Sequence, residues 1–431
     1  MKEIKVGIIG FGTVGAGVAS CLLENEKVIA DRSGVCVKLH KIADLDITTD
    51  RGVKVPDGIL TTSVPELIDS CDIVVELIGG TTIAKKFILT ALNAGKSVVT
   101  ANKALLAEYG EELFAAAEKN GVDLWYEASV GGGIPIIKSL RESFIGNRIK
   151  SIYGILNGTC NYILTRMERE NLGFADVLAD AQRLGYAEAH PSLDIDGFDT
   201  AHKAAILAGL AYGKWFGMDS IPVEGIRDVS TEEIGYAREL GYRLKLLAII
   251  KQNASQDIEI RVHPALIPQD SLMANISDVF NGVMLEGDYV GKTLFYGRGA
   301  GRAATASAVV ADITDVAVNI ANNVPRRVSS FREYNLAGKI VPISEIESSY
   351  YLRIRVHDKP GVLAQVASLL SVNGISISRL MQRASADNDN VVSIIIVSHK
   401  AVEKNVRKAI REIESLQDVS KGVTVLRIEE L

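Results

Sequence analysis

From Ile4 to about residue 130, short runs of β-branched residues take turns with stretches whose apolar positions recur every three or four residues. IKVGII, VCVKLHKIAD, DIVVELIGG, KSVVTAN and VDLWYEASV read as strands. TVGAGVASCLLE, TTIAKKFILTALNAG and LLAEYGEELFAAAEKNG read as helices. Strands alternating with helices predict an α/β fold whose first domain, residues 1–136, is a Rossmann-type doubly wound sheet. After Gly131–Gly133 and Pro135 the pattern changes. RIKSIYGILNGTCNYIL, IEIRVHPALIP and GVMLEGDYVGKTLFYG read as antiparallel strand material, with helical segments such as FADVLADAQRLG between them. A mixed α/β substrate domain over residues 137–320 is the expectation, with a return segment and linker at 321–348. From Tyr350 the order β-α-β-β-α-β follows, a separate ferredoxin-like module at 349–431.

Composition narrows the class. The 431 residues are 47% hydrophobic and 23% charged, ordinary for a chain with a large core. The net charge of −6 gives no general attraction to nucleic acid or to an anionic membrane. Met1-Lys-Glu precedes a short strand rather than a signal-peptide core, and no uninterrupted apolar run reaches the length of a membrane span. Cys21, Cys36, Cys71 and Cys160 form no C-x-x-C pair, which argues against zinc and against a disulfide framework. The expectation is a cytoplasmic protein.

The first strand runs into Gly10-Phe11-Gly12-Thr13-Val14-Gly15 and then a helix. Glycines at this spacing allow a tight turn, a close approach of backbone to a pyrophosphate, and close helix–strand packing. The free N–H groups at Thr13 and Val14 then favour phosphate. A dinucleotide site is the sharper reading and a plain tight turn the other. In doubly wound sheets ligands lie beyond the strand carboxyl ends, which draws attention to Asp44 and Asp46, Gly79-Gly80-Thr81, Thr100-Ala101-Asn102-Lys103 and Glu127. An acid after the second strand, Asp44, suits the ribose hydroxyl of NAD, and no cation follows it before Arg51. This leans the coenzyme towards NAD, although a loop cation could still reach a 2′-phosphate.

LDIDGFDTAHK, residues 193–203, brings an acid and an amine onto an apolar helix. Asp199 and Lys203 are one turn apart, so an ion pair that fixes the helix is one reading and proton transfer is the other. Cys160, a lone cysteine between polar residues in NGTCNY, could be a thiol nucleophile or simply packing. Gly131–Gly133 could be a hinge, or could turn carbonyls towards a cation beside the charge of Glu127.

Taken in order, GFGTVG, TANKALLA, EASVGGGIP, GILNGTCNYIL, GYAEAHPSLDIDGFDTAHK and GRGAG resemble homoserine dehydrogenases over residues 1 to about 345. The resemblance implies reversible NAD(P)H-dependent reduction of aspartate 4-semialdehyde to homoserine, in threonine, methionine and isoleucine biosynthesis. It implies proton transfer by Lys203, a second lysine near coenzyme and substrate at Lys103, and a substrate pocket of Glu188, Asp194 and Asp199. It further implies coenzyme contacts at Gly80, Thr100 and Gly301. A monovalent cation, sodium by family habit, would lie at Glu127, Val130, Gly132 and Ile134. The chain departs from the family at His190, where Asp is common, and in GRGAGRAATAS, where GRGAGGxPTAS is usual. Chemically, Lys203, with Lys103 expected opposite it, would be the proton donor, and Asp199 would orient the amine.

The tail is similar to ACT domains, with Asp358, Pro360 and Gly361 at a helix start. That resemblance implies an amino-acid effector, threonine being the end product the pathway suggests, and paired modules in a homodimer or homotetramer. A bland oligomerisation module is the other reading of the same pattern.

Overall fold

The computed structural model describes residues 2–334, 338–384, 390–420 and 422–431. Residues 335–337 of the expected linker, and 385–389 and 421 of the expected tail module, lie outside the described residues.

The first sheet is parallel throughout and has the order β3-β2-β1-β4-β5-β6. Its strands are β1 (Glu3–Ile9), β2 (Cys36–Ala43), β3 (Leu60–Thr61), β4 (Ile73–Glu76), β5 (Ser97–Thr100) and β6 (Leu124–Trp125). Strands β4 and β5 are buried along their whole length, as a sheet covered by helices on both faces requires. The order reverses beside β1, so a crevice opens where β1 and β4 end. VDLWYEASV is strand only at Leu124–Trp125; Glu127–Ser129 turns as a 3₁₀ helix.

The helix Arg302–Ala321, expected within the 137–320 domain, packs on this sheet. Its Ala306, Val309, Ile313 and Val316 share a core with Val6, Ile8, Val18 and Val75. It lies on the helix Thr13–Glu24 because Gly17 leaves room; a Cβ there would stand 2.9 Å from the Arg302 carbonyl oxygen. By length and hydropathy this helix could cross a membrane. Asp312 and Asp315 interrupt its apolar surface, however, and half of its most apolar window is buried inside the protein.

The second sheet runs β11-β10-β7-β8-β9-β16-β12-β14-β13. Its middle-domain strands are β7 (Ile149–Ile155), β8 (Tyr242–Gln252), β9 (Ile258–Pro268), β10 (Phe280–Gly287) and β11 (Gly291–Arg298). The tail supplies β12 (Glu347–His357), β13 (Ile377–Ala384), β14 (Val391–Ser398), the short β15 (Ala401–Val402) beside β12, and β16 (Thr424–Ile428). Two expectations are corrected here. RIKSIYGILNGTCNYIL is strand only to Ile155; Gly158–Glu170 is a helix, because the Asn157 side chain accepts the Cys160 N–H at 2.8 Å and starts one. The tail is a module with a core of its own, including Leu352, Val366, Ile394 and Ile410, but it is not detached. It has the expected β-α-β-β-α-β order, but β16 pairs in parallel with β9, Arg427 opposite Ala265 and Ile428 opposite Leu266. Tyr351, Ile395, Val397, Leu426 and Ile428 join the core that holds Leu244 and Leu266. An open β9 edge would leave its polar backbone groups unpaired, and β16 covers it.

Candidate active site

At the end of β1, Gly10 has φ +103° and donates to the Ala43 carbonyl at 2.8 Å, which bends the chain across the top of β2. A Cβ on Gly15 would stand 1.9 Å from the Gly10 carbonyl oxygen, so that position admits only glycine. Gly12 differs. A Cβ there meets nothing within 4 Å, which leaves open space in front of the N-terminus of the helix Thr13–Glu24. Phe11 donates its N–H to Asp44 Oδ2 at 2.5 Å, and Asp44 Oδ1 accepts from Asp46 N–H at 2.9 Å. The acid therefore fastens the glycine loop to the end of β2 while lining the crevice. Asp46 takes Arg51 at 3.0 Å; hydrogen bonds from Thr49 and Thr48 hold its carboxyl well below the usual range.

Glu76, which the sequence did not single out, and Asn102, which it did, shape the far side of the crevice. Glu76, buried at the end of β4, accepts Thr100 Oγ1 at 2.7 Å and Ile78 N–H at 2.9 Å. Burial pushes its carboxyl up against those bonds. Asn102 caps the helix Lys103–Asn120 by accepting Leu105 N–H at 3.1 Å and donates to the Gly80 carbonyl at 2.7 Å. The signals were an acid ending an apolar strand and an Asn at a helix start. These contacts place Gly80 and Thr100 around the start of the helix that begins at Lys103.

Lys203 is 8% exposed and Asp199 7%, both on the helix Phe198–Tyr212. Lys203 Nζ donates to Asp199 Oδ2 at 2.7 Å and to the Leu156 carbonyl at 2.6 Å. Asp199 Oδ1 lies 3.1 Å from Lys103 Nζ. One carboxylate thus stands between an amine from the nucleotide domain and an amine from the middle domain. The lysines were expected to face each other directly; Asp199 lies between them. Burial alone would raise the Asp199 carboxyl, but Lys203 and Lys103, with hydrogen bonds from Lys203 and Asn157, hold it well below the usual range.

Asn157, missed by the sequence reading, ties the cluster together. Its Nδ2 donates to Asp199 Oδ2 at 2.9 Å and to Asp194 Oδ1 at 2.7 Å, while its Oδ1 caps the helix that follows. The asparagine of NGT before a helical run was the available signal. The Leu156 carbonyl had none. Asp194 is pushed up by burial and then by the charge of Asp199. Cys160 donates its thiol to the Asp194 carbonyl at 3.2 Å, and burial raises its pKa far from the thiolate range, as packing demands of a cysteine with no nucleophilic task.

Glu188 is on the exposed stretch after Gly185, its carboxylate without a protein partner among the described residues, and Gln182 holds its carbonyl at 3.0 Å. Thr159 connects this stretch to the cluster, donating to the Tyr186 carbonyl at 2.7 Å and reaching Asp194 Oδ2 at 3.4 Å. His190 is exposed as well.

The Glu127–Ile134 loop departs from the expectation that Glu127 offers its charge to a cation. Its carboxylate accepts Ile137 N–H at 2.9 Å and Lys138 N–H at 2.7 Å, capping the helical turn that starts at Ile136. Those N–H groups have no other acceptor in a first turn. Burial raises the Glu127 carboxyl, and burial with the Glu127 charge raises Asp312 much further. Asp312 Oδ2 accepts the Glu127 N–H at 2.7 Å. What the loop does offer is backbone. The Val130 and Gly132 carbonyls accept no hydrogen bond among the described residues. Ile134 O accepts Ile136 N–H at 2.8 Å. Gly132, at φ +56°, lies against the glycine loop of residues 299–301; a Cβ there would stand 2.4 Å from Gly299 O. Gly301, at φ +111°, ends that loop as the N-cap of the helix Arg302–Ala321. Among the described residues no His, Cys, Asp and Glu side chains cluster as a metal site.

Residues 135–314 match the family described as homoserine dehydrogenase, residues 10–127 its NAD-binding domain, and residues 350–418 the ACT domain. A homoserine dehydrogenase of Neisseria gonorrhoeae is 46% identical over 436 residues, with 100% of both chains covered. The crystal structure of a homoserine dehydrogenase from Thiobacillus denitrificans superposes with a TM-score of 0.94 at 44% identity, covering 100% of this chain and 99% of that one. A hyperthermophilic archaeal homoserine dehydrogenase in complex with NADPH matches with a TM-score of 0.63 at 29% identity, covering 74% of this chain and 98% of that one.

Proposed function

The chain belongs to the homoserine dehydrogenase family, an NAD(P)-dependent oxidoreductase with a C-terminal ACT domain, and from that premise we propose how its residues divide the work. The observation that carries the reading is Asp199 held between Lys203 and Lys103, where the two domains meet. Reduction of aspartate 4-semialdehyde needs a hydride at the carbonyl carbon and a proton at its oxygen. The coenzyme supplies or accepts the hydride. Lys203 gives the proton to the forming alkoxide, and takes it back from the homoserine hydroxyl in the reverse direction. A positioned acid of this kind contributes about 10²–10⁴-fold. Asp199, bonded to Lys203 and Asn157, fixes where the amine points. Lys103 starts the helix after β5, beside the crevice, and so serves substrate and coenzyme together. Glu188 and Asp194 take the substrate ammonium; the free carboxylate of Glu188 supports this role.

Phe11, Gly12, Thr13 and Val14 hold the pyrophosphate, with open space before Gly12 as support. NAD is the preferred coenzyme: Asp44 stands at the end of β2, and Asp46 occupies Arg51, the first cation after it. A monovalent cation, sodium by family habit, takes main-chain oxygens of Glu127, Val130, Gly132 and Ile134, the unoccupied carbonyls of Val130 and Gly132 being the support. The ACT domain binds threonine at the turn of Asp358 and Gly361, in a dimer or tetramer that pairs these modules. Following NADH or NADPH absorbance with homoserine and either oxidised coenzyme at alkaline pH tests the reaction and the coenzyme together. Equal kcat/KM with both coenzymes would remove the NAD preference, and replacing sodium with tetramethylammonium tests the cation.

A further inference from the structure

The helix that carries Asp194, Ser192–Ile195, has four residues. A single turn of helix does not hold itself in place in water. Asn157, Thr159 and Cys160 hold it at Asp194 from one side, and the chain from Pro222 to Asp228 fastens it from the other. Ile226 donates its N–H to the Ile195 carbonyl at 2.8 Å. Gly225 comes so close that a Cβ would stand 2.3 Å from that carbonyl oxygen. Arg227 closes the contact by clasping Asp196, Nη2 to Oδ2 at 3.0 Å and Nε to Oδ1, and by donating to Ser192 Oγ at 3.1 Å. The two ends of the Asp194 helix are thus gripped by one guanidinium.

The same strap is held from its other side by the tail. Glu224 donates its N–H to the Val262 carbonyl on β9 at 2.8 Å. Its carboxylate receives Arg427 of β16 in a fork, at 2.9 and 3.0 Å. Arg427 is 3% exposed and is itself fixed by Glu403 at 2.7 and 2.9 Å, and Tyr350 donates to that glutamate at 2.8 Å. Arg427 is on β16 and Glu403 starts the helix Glu403–Glu414, both in the tail.

We infer that Arg227 is a positioning residue for substrate binding, and that Glu224 is the point at which the ACT domain sets the strap's position. The inference rests on the reading of Asp194 as part of the ammonium pocket. The order of contacts is Arg427, Glu224, the strap, Arg227, the helix Ser192–Ile195 and then Asp194. A shift at one end moves the other because the close approach of Gly225 to Ile195 leaves no slack between them. The rival is an ordinary surface ion pair between Arg227 and Asp196, side chains 48% and 31% exposed. Such pairs contribute little to stability, and removing one would leave substrate affinity alone.

Steady-state kinetics on the full chain, with homoserine and coenzyme varied separately, distinguish the two. Arg227→Ala should raise the KM for homoserine about tenfold, the usual worth of a charge-assisted bond, here that of Asp194 to the substrate ammonium. The kcat should stay within about twofold, the coenzyme KM should not move, and Tm should be nearly unchanged. Arg227→Lys keeps the charge but not the fork, so partial rescue is expected. Glu224→Ala should act in the same direction, and the double variant Glu224→Ala with Arg227→Ala should be no worse than Arg227→Ala alone. Asp194→Asn is the control. If it raises the homoserine KM while Arg227→Ala does not, the strap is overturned and the pocket reading stands. If Asp194→Asn itself leaves that KM unchanged, the pocket reading falls and this inference with it. Effects that multiply in the double variant would overturn the link to the ACT domain.

Discussion

At the scale of single residues, the proposed roles separate by the kinetic constant each one moves. Lys203→Ala removes the proton donor while Lys103 still neutralises Asp199, so coenzyme affinity should survive and kcat should fall by about 10²–10⁴. A loss under about tenfold, measured in steady state, would assign Lys203 to structure alone. Glu188→Gln keeps shape and loses charge. It should raise the homoserine KM by about tenfold or more, the usual worth of a charge-assisted bond, and should leave kcat alone. Asn157 gives a pH prediction. Its N–H favours the ionised form of Asp194, whose carboxyl burial and Asp199 already push up. In Asn157→Ala the Asp194 pKa rises further, so ionised Asp194 is lost sooner as pH falls. The acid limb of the kcat/KM profile should therefore move to higher pH; a limb that stays put removes Asp194 from binding. The variant also takes a hydrogen bond from Asp199. That carboxyl stays low because both lysines remain beside it.

At the scale of elements, the strand–glycine–helix unit shows how three glycines of one motif do different work. Gly15 is steric, closed against the Gly10 carbonyl, whereas Gly12 has extended backbone and empty space in front of it. Gly12→Val should accordingly fold with a Tm close to wild type and lose most coenzyme affinity, its side chain filling the space where phosphate meets the helix N-terminus. Gly15→Val should not yield folded protein. Thermal denaturation beside coenzyme fluorescence titration separates the two, and tight coenzyme binding by Gly12→Val would move the pyrophosphate elsewhere. The element misread from sequence is instructive too. GILNGTCNYIL continues β7 in composition, with Ile, Leu and Tyr throughout, yet the Asn157 cap and burial of Cys160, Ile163, Leu164 and Met167 make it a helix. Apolar runs of that length satisfy both periods, and the cap decides.

At the scale of the whole molecule, the shared sheet changes what truncation would do. A chain ending at Glu347 loses β12 and β16, opens the β9 edge, and strips Tyr351, Leu426 and Ile428 from a common core. It also leaves Glu224 without Arg427. We therefore expect such a chain to aggregate or to lose several degrees of Tm, measurable by light scattering and calorimetry, rather than to behave as an unregulated enzyme. Regulation is better tested in the intact chain. Gly361 has φ +92° at the N-cap of the helix Val362–Val372, a conformation that excludes valine. Millimolar threonine should lower wild-type activity, and Gly361→Val should lose that response while keeping turnover. The effector must bind one arrangement better than the other to shift anything. A coupling of about 1–3 kcal/mol is the usual size. Absence of binding by threonine, methionine and isoleucine in calorimetry would leave the domain as an assembly element.

The sequence by itself determined what local rules can carry. Glycine spacing after β1, strand–helix alternation, the one-turn spacing of Asp199 and Lys203, and the β-α-β-β-α-β order of the tail are all properties of short segments. Tertiary structure decided whatever joins segments far apart. Asn157 reaches residues 37 and 42 positions away, and Leu156 reaches Lys203 through a carbonyl that every residue type shares. The helix Arg302–Ala321 packs back on the first sheet because Gly17 leaves room for Arg302 and Ala306. The ACT domain joins the main sheet because β9 has an edge to fill. In each case the partner is chosen by packing space or by an unpaired backbone group, and neither is visible until the chain has folded.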